Sequence, residues 1–450
     1  MKETVIAIFD IGKTNKKLIL FNEDLKVVSE TEQKFNETTD DDGFECDDIE
    51  KIEHWILESL ESLVHSDQYD LKAVNFATYG ATLVYLDENG KRLTPVYNYL
   101  KPLDEKIPEN LYKRYGGRDE FCRRTASPAL GMLNSGLQPM WLKSAKPEVF
   151  ARIKNIMHFP QYLSYLITGK IYSEHTSIGC HTALWDFDNM CYHPWVEKQG
   201  LNLPDPVPVE TLNEVIIDGK KVLAGVGIHD SSASLAPYFS SKTGNFILIS
   251  TGTWCINMNP FNTEILTAEQ LDKDCLCYIS INRKPVKSSR LFLGHLHETA
   301  LVQINDHFEK AEDYYKKVKA DNTLSTKMRS KFKGEKVFFQ KGPYSRDLKE
   351  SVDMYLFTTF EEAYHQLMNE LGDLTIEAVN LVLPLNDETA NIYITGGFSK
   401  NELFLQQISQ GYPLKSVYTS EIANSSALGA ALVISGSKTD LNLGLTRCKR

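Results

Sequence analysis

Residues 6–17 read IAIFDIGKTNKK, an apolar run that ends at Asp10 and Gly12 and continues into a polar turn. Residues 246–254, FILISTGTW, have the same build, with Gly252 and Thr253 closing a second apolar run. A strand that stops at glycine exposes backbone N–H groups, and small hydroxyl side chains add donors that suit phosphate oxygens. One such turn in each half of the chain predicts a duplicated architecture that holds one polyphosphate from both sides.

The length, composition and net charge of the chain exclude several classes of protein. A chain of 450 residues with 42% hydrophobic and 24% charged residues is typical of a globular protein of two or three domains. The net charge of −11 argues against a nucleic-acid backbone or an anionic membrane as partner. Eight scattered cysteines without a C-x-x-C pair, no signal-peptide pattern and no apolar stretch of about 20 residues predict a cytoplasmic protein.

The order of patterns predicts an α/β protein in two halves. The runs 5–9 and 18–21 indicate a hairpin, and residues 48–64 have apolar spacing typical of a helix. The polar stretch SSKTGN, residues 240–245, precedes the second strand-rich start, which predicts an N-terminal lobe of residues 1–241 and a C-terminal lobe of residues 242–450. The charged segment 310–336 is interpreted as a solvated helical insertion.

Asp10 is the candidate metal residue, because a hard cation beside phosphates prefers carboxylate oxygens. The alternative is an Asx-turn that satisfies its own backbone. Lys13, Thr14, Asn15 and Lys17 follow at once and form a cationic, donor-rich tip. This neighbourhood favours a turn that faces phosphate over the purely local explanation.

Asp230, in GIHDSSAS, is the candidate catalytic residue. A carboxylate that faces a cleft at the start of a helix accepts the proton of a hydroxyl that attacks a phosphoryl group. The alternative is a helix N-cap, and both roles are compatible. His229 beside it is either a sugar contact or a histidine satisfied within the core.

The stretch GGFSKNELFLQQ, residues 396–407, offers two glycines after a strand, which usually permit close approach by another group. A nucleotide base and ribose over Gly396 and Gly397 would supply that group. Ser399 and Glu402 are spaced as a capping box. The small-residue run around Gly429 indicates close helix packing. The pairs His295/His297 and Cys275/Cys277 form no recognised metal signature, and a role without metal is preferred.

The motifs follow one another in a definite order. D-x-G-x-T at residues 10–14 is followed by Y-G before an LDENG hairpin, then by H-D, S-T-G-T-W and G-G-x-S-x-N. This series resembles that of the FGGY carbohydrate kinases, and the resemblance extends over about residues 4–435. Within the family, H-D followed by G-T-W is most similar to the rhamnulokinase and L-fuculokinase type. Two differences from the usual family pattern are Phe398, in place of a third glycine, and Lys13, in place of a small residue.

The resemblance implies an actin-like (ribonuclease H-like) duplicated fold, two lobes each with a mixed sheet flanked by helices. It implies transfer of the γ-phosphate of ATP, with Mg²⁺, to a small ketose, with L-rhamnulose or L-fuculose, at C1, as the favoured substrates. The implied roles are these: Asp230 the general base; Tyr79, Gly80 and His229 substrate contacts; Gly12, Lys13, Thr14, Asn15, Lys17, Gly252, Thr253, Gly396, Gly397 and Asn401 ATP contacts; and Asp10 the magnesium-linked carboxylate.

Other functions stay open at this point. The acceptor of an FGGY kinase could be another sugar or polyol, such as xylulose, ribulose or glycerol. A non-kinase actin-like ATPase or a sugar-binding protein is the alternative from a different class. The expected partners are ATP and a small sugar, with neither nucleic acid nor membrane, and a homodimer is among the possible assemblies.

Overall fold

Both glycine-terminated apolar runs form central strands of mixed sheets in a computed structural model that describes residues 2–240, 244–342, 352–436 and 441–448. Strands β1 to β11 are Glu3–Ile11, Lys16–Asn22, Val27–Gln33, Thr38–Thr39, Glu45–Cys46, Tyr69–Thr78, Leu83–Leu86, Asn155–His158, Ser173–Glu174, Trp185–Asp186 and Cys191–Tyr192. Strands β12 to β22 are Pro206–Val207, Leu212–Ile217, Lys220–Gly225, Ile228–His229, Phe246–Thr251, Cys255–Asn259, Cys275–Ile279, Pro285–Leu291, Asn391–Gly396, Ser416–Thr419 and Thr446–Arg447.

The helices cover both sheets. In chain order α1 to α15 are Ile49–Val64, Lys106–Arg114, Arg118–Arg124, Gln138–Ala145, Pro147–Phe150, Phe159–Thr168, His175–Ile178, Trp195–Lys198, Asp230–Phe239, Ala268–Asp272, Leu293–Phe308, Asn322–Lys331, Phe360–Asn380, Glu402–Gly411 and Ser425–Ser435. No helix in these described ranges combines the length and apolarity needed to cross a bilayer.

The two large sheets repeat one topology. The first has the order β13–β14–β6–β1–β2–β3, with β15 also paired to β6, and the second has the order β18–β19–β17–β16–β20–β21–β22. In each, the central strand pairs antiparallel with the next strand and parallel with the strand that follows a helical crossover: β1 with β2 and β6, and β16 with β17 and β20. The predicted hairpin and the predicted duplicated fold are confirmed.

Helix α1 follows the sequence pattern closely. The Asp48 side chain accepts a hydrogen bond from the Lys51 backbone N–H at 3.3 Å and caps the helix, while Ile52, Ile56 and Leu60 are buried against the first sheet. An apolar stripe at this spacing packs one face of a helix onto a core, so the local pattern and the tertiary contact agree.

Helices α9 and α15 pack tightly together between the two sheets. A Cβ added to Gly429 would lie 1.8 Å from the Ala233 carbonyl oxygen, so only glycine permits this approach. Ala233 packs with Ile6 of the first sheet, and Leu235, further along α9, packs with Phe246 of the second. The close helix packing inferred from the small residues is confirmed, and it holds the start of α9 between the halves.

Three local predictions change. The N-cap of α14 is Asn401, which accepts the Phe404 N–H at 3.1 Å, so the Ser399–Glu402 capping box is wrong. The N-cap of α9 is His229, and Asp230 is the first helical residue. The segment 310–336 contains α12, whose Met328 is buried in the core, so it is more than a solvated insertion. The predicted boundary at residues 241–242 lies outside the described residues.

Candidate active site

Two carboxylates from different elements are close enough for the charge of one to act on the other. Asp10 is the penultimate residue of β1, and Asp230 opens α9. Burial and, next, the charge of Asp230 raise the pKa of Asp10 to about 7, although Lys17 opposes both effects. Two neighbouring carboxylates that are both ionised repel each other unless a cation or a proton lies between them. The pair therefore has the character of a site for a divalent cation or for proton transfer.

His229 lies beside Asp230. The His229 Nε2 atom lies 3.1 Å from Asp230 Oδ1, and burial lowers the pKa of the imidazole, which is neutral near pH 7 as a result. The hydrogen-bond partner of Nε2 is Cys180 Sγ, at 3.1 Å, and the buried Nδ1 has no partner among the described residues. The Ser231 N–H donates to Asp230 Oδ1, at 2.6 Å. Asp230 is therefore held still with about a third of its side chain (32%) exposed.

In each glycine turn the glycine N–H donates to a carbonyl further along the turn, three residues on in the first turn and two residues on in the second. The Gly12 N–H donates to the Asn15 carbonyl at 2.9 Å, and the Gly252 N–H donates to the Trp254 carbonyl at 3.0 Å. Thr14 and Asn15 are exposed at the tip of the first turn, as Thr253 is in the second. Each turn thus presents small polar groups to solvent beside the end of a central strand.

The lysines of the first turn point to different partners. Lys17 lies opposite Asp10 in the β1–β2 register, and its ammonium donates to Glu30 at 2.8 Å. The Lys13 ammonium instead pairs with Asp47 at 3.2 Å and with Glu37 at 3.1 Å. The two ammonium groups therefore lie in different surroundings, Lys17 beside Asp10 and Lys13 beside Asp47.

Asp47 is the centre of a buried polar network that the sequence did not reveal. It accepts hydrogen bonds from Lys16 at 2.8 Å and from the Tyr79 hydroxyl at 2.6 Å, besides its contact with Lys13. Although burial opposes it, hydrogen bonds from Lys16 and Tyr79 hold the pKa of Asp47 below its usual range. The sequence does not indicate this network, because Lys16 and Tyr79 are 31 and 32 residues away from Asp47 along the chain.

Gly80 lies against His229, as expected if both face one pocket. A Cβ at position 80 would lie 3.2 Å from His229 Nε2 and 3.2 Å from Cys180 Sγ. The Cys180 Sγ is itself 3.1 Å from His229 Nε2. Tyr79, Gly80, His229 and Asp230 therefore lie together, at the ends of β6 and β15 and the start of α9.

A cavity of about 970 Å³ occupies the C-terminal half and brings together four of the predicted ATP contacts, Gly252, Thr253, Gly397 and Asn401. Gly396 does not line it; instead its backbone packs on Thr251. Further lining residues come from α11, from the turn at 314–317 and from α13: His297, Glu298, Tyr315, Lys316 and Tyr364. The cavity wall thus includes Tyr315 and Lys316 from the charged segment 310–336, whose sequence pattern indicated only a solvated insertion.

Aromatic rings form one end of this cavity. The His297 ring centroid lies 5.1 Å from that of Tyr315 and 5.3 Å from that of Phe398. The His297 Nε2 lies 3.3 Å from the Tyr364 hydroxyl, and burial lowers the pKa of this histidine to about 4. The sequence indicated His297 only as a candidate metal ligand. No local pattern connects it to the rings of Tyr315 and Phe398, which come from other parts of the chain.

The two adjacent glycines have different structural demands, which gives a stability prediction. Gly396 has φ +85°, and a Cβ there would lie 1.7 Å from the Thr251 carbonyl oxygen, whereas a Cβ on Gly397 meets nothing within 4 Å. We expect Gly396→Ala to lower the free energy of unfolding by about 3 kcal/mol or more, and Gly397→Ala to change it by less than about 1 kcal/mol. Urea unfolding of both variants checks this; equal losses would contradict the assigned geometry.

Comparison with known proteins gives a consistent result. Residues 5–198 match the N-terminal domain of the FGGY family of carbohydrate kinases, and residues 243–441 match the carbohydrate kinase FGGY C-terminal domain. The chain is 23% identical to rhamnulokinase from Oceanobacillus iheyensis over 437 residues, which cover 91% of this chain and 88% of that protein. It is 24% identical to L-fuculokinase from Haemophilus influenzae over 293 residues, 56% of this chain and 57% of that protein.

Solved structures share the fold. The chain is similar to a carbohydrate kinase from Novosphingobium aromaticivorans, with TM-score 0.79 and 22% identity over 98% of this chain and 96% of that one. It is also similar to a ligand-bound xylulose kinase from Lactobacillus acidophilus, with TM-score 0.74 and 14% identity over 99% of this chain and 93% of that one. Identities this low show the actin-like fold and leave the acceptor undetermined.

Proposed function

The chain belongs to the FGGY family of carbohydrate kinases, and we propose that it transfers the γ-phosphate of ATP to a hydroxyl group of a small ketose. The observation that carries this proposal is the pair of carboxylates, Asp10 and Asp230, where β1 ends and α9 begins. One carboxylate suits a metal bound to phosphate, and the other suits an acceptor hydroxyl. Gly252, Thr253, Gly397 and Asn401 border a cavity large enough for a nucleotide.

Asp230 acts as the general base in this proposal. The acceptor oxygen attacks the γ-phosphorus, a new O–P bond forms as the bond to the β,γ-bridging oxygen breaks, and ADP leaves. The hydroxyl proton passes to Asp230. Ser231 donates to Asp230 Oδ1 through its N–H and its hydroxyl, which leaves the other carboxylate oxygen for the acceptor. Base catalysis of this kind contributes about 10²–10⁴-fold, and the rest comes from positioning and charge neutralisation.

ATP would lie between the two glycine turns. Gly12, Thr14, Asn15 and Lys17 are proposed to face its phosphates from the N-terminal lobe, residues 1–241, and Gly252 and Thr253 from the C-terminal lobe, residues 242–450. The adenosine would enter the cavity beside Gly397 and Asn401, with Gly396 providing the turn. The exposure of Thr14, Asn15, Gly252 and Thr253 supports this arrangement, since these groups are free to meet a ligand.

The residues present fit a magnesium ion. Asp10 is a half-buried carboxylate, and desolvation and the charge of Asp230 raise its pKa although Lys17 opposes them. Asp10 would hold Mg²⁺, directly or through water, and the ion would neutralise the charge of the transferring phosphates. The bound cation would also stabilise the ionised form of Asp10, because it would reduce the repulsion between Asp10 and Asp230.

The favoured acceptors are L-rhamnulose and L-fuculose, phosphorylated at C1. The H-D and G-T-W motifs and the curated relatives named rhamnulokinase and L-fuculokinase support this choice. D-xylulose is the second candidate, because a xylulose kinase shares the fold over nearly the whole chain. A cytoplasmic location agrees with the eight cysteines, which are all free thiols.

An ADP-release screen tests the activity and names the acceptor. Purified protein with MgATP is supplied in turn with L-rhamnulose, L-fuculose, D-xylulose, L-ribulose and glycerol. We expect the highest kcat/KM with one of the two deoxyketoses. A response only to xylulose or glycerol would overturn the choice of sugar and leave the kinase standing. ADP release that no acceptor stimulates would favour a non-kinase ATPase.

A further inference from the structure

We propose that Lys13 recognises the acceptor sugar rather than the phosphates of ATP, as part of a polar wall formed with Asp47, Tyr79 and Tyr99. This inference rests on the proposed kinase function and refines it, since it assigns a determinant of acceptor specificity. Lys13 was expected from the sequence to contact phosphate because it lies in the β1–β2 turn. The contacts of its side chain point elsewhere.

The ammonium of Lys13 lies on the side of the pocket that contains Tyr79. It contacts Asp47 and Glu37, at 3.2 Å and 3.1 Å, and it lies 5.9 Å from the centre of the Tyr79 ring. Tyr79 precedes Gly80, which touches His229. The Lys13 side chain therefore extends from the phosphate turn toward the residues that surround Asp230.

The wall is built rigidly around Asp47. The carboxylate is 5% exposed, and it is fixed by the buried Lys16 ammonium at 2.8 Å and by the Tyr79 hydroxyl at 2.6 Å. Lys16 donates in addition to the Lys13 carbonyl at 2.9 Å, which ties the turn to the same network. The Lys13 ammonium has three N–H donors, so its contacts with Asp47 and Glu37 leave one donor for a ligand.

Tyr99 connects this wall to the reacting end of the pocket. Its ring lies 6.2 Å from that of Tyr79, and its hydroxyl makes no hydrogen bond to any residue that the structure describes. Burial raises the pKa of Tyr99, Lys13 lowers it, and both Asp230 and Asp47 raise it. The ring contact places Tyr99 beside Tyr79, whose hydroxyl donates to Asp47 and whose ring lies near the Lys13 ammonium. A sugar whose reacting hydroxyl meets Asp230 would present further hydroxyls to Tyr99 and Lys13.

The charges of the wall indicate the class of acceptor. The positive charges of Lys13 and Lys16 are matched by the negative charges of Asp47 and Glu37. A balanced set of donors and acceptors suits a neutral polyhydroxylated sugar, whose hydroxyls donate and accept. An anionic acceptor such as an aldonate would find no unmatched cation here and would be repelled by Asp47 and Asp230. The acceptor should therefore be neutral.

Paired lysine variants test this assignment. Lys17 is the matched control, because it lies on the same hairpin, opposite Asp10. With the acceptor that gives the highest kcat/KM in the screen, we expect Lys13→Met to raise the KM for acceptor roughly 10- to 100-fold and to change the KM for MgATP less than about twofold. Lys17→Met should affect MgATP and leave the acceptor KM nearly unchanged. Tyr99→Phe should weaken the acceptor roughly 3- to 10-fold, since it removes only a neutral hydroxyl.

The outcomes separate this inference from the proposed function. Suppose that the wild-type protein phosphorylates the acceptor. An unchanged acceptor KM in Lys13→Met, or a larger KM for MgATP instead, would then overturn the role of Lys13 and leave the proposed kinase function standing. Turnover of gluconate comparable with that of a neutral ketose would overturn the argument from charge. If the wild-type protein phosphorylates no acceptor, the proposed function fails and the role of Lys13 fails with it. Circular dichroism spectra that match wild type keep misfolding out of the comparison.

Discussion

Replacing Asp230 with asparagine is expected to lower kcat by about 10²–10⁴-fold and to leave the fold intact. The carboxylate is the proposed acceptor of the hydroxyl proton, and an amide oxygen of the same shape is a far weaker base. The fold should persist because the asparagine oxygen can still accept the hydrogen bonds that Ser231 donates. The KM for MgATP should change little, since Asp230 is proposed to act on the acceptor. Steady-state kinetics with a coupled ADP assay measures both constants.

The matched control is Asp24→Asn, at a surface carboxylate whose side chain is 73% exposed. It should retain wild-type turnover, because the substitution removes a charge far from any buried contact. Near-normal sugar phosphorylation by Asp230→Asn would remove Asp230 from the mechanism. Loss of activity together with a lowered melting temperature would instead point to a structural role at the start of α9.

Asp10→Asn is expected to abolish measurable turnover while making the protein more stable. Asp10 is the proposed magnesium ligand, and an amide is a poor ligand for a hard cation. In the metal-free protein, however, desolvation and the charge of Asp230 raise the pKa of this half-buried carboxylate to about 7. Removing that charge should increase the free energy of unfolding by roughly 1–4 kcal/mol at about pH 8. Thermal unfolding without magnesium measures this difference.

The pH dependence of that gain has a definite sign. An Asp10 carboxyl with a folded-state pKa of about 7 and an unfolded-state pKa near its ordinary value of 3.8 binds protons more strongly in the folded state. The contribution of this carboxyl to the free energy of unfolding of the wild-type protein is fully present below the unfolded-state pKa. It is lost as the pH rises through the folded-state pKa. The advantage of Asp10→Asn should thus be full above about pH 7 and absent below about pH 4. If Asp10→Asn raised the free energy of unfolding equally at every pH, the ionised Asp10 carboxylate could not be the cause of the lower wild-type stability.

The fold could be predicted from the sequence at those elements where local sequence patterns and tertiary contacts agree. The β1–β2 hairpin, α1 and the tight contact at Gly429 could be predicted because each depends on spacing, capping or side-chain size. The duplication could be predicted because both central strands end in the same kind of glycine turn. Asp230 and Gly397 stood out for the same reason, since each follows a strand at the start of a helix or helical turn.

The rest of the site depends on contacts between distant parts of the chain. Nothing near Asp47 in sequence shows that Lys16 and Tyr79 approach it, and nothing near Lys13 shows which way its ammonium turns. His297 and Tyr315 meet only after α11 and the turn at 314–317 pack together. Such contacts are set by tertiary packing, which local periodicity does not encode.

The central claim is that phosphate leaves ATP only for a sugar hydroxyl, with Asp230 taking the proton. Phosphorus NMR of a reaction with MgATP and the best ketose from the screen measures this directly, in the wild-type protein and in Asp230→Asn. We expect one sugar phosphate formed for each ADP in the wild type, no ADP without sugar, and almost no product from the variant. ADP and inorganic phosphate released at equal rates with and without sugar would contradict the account.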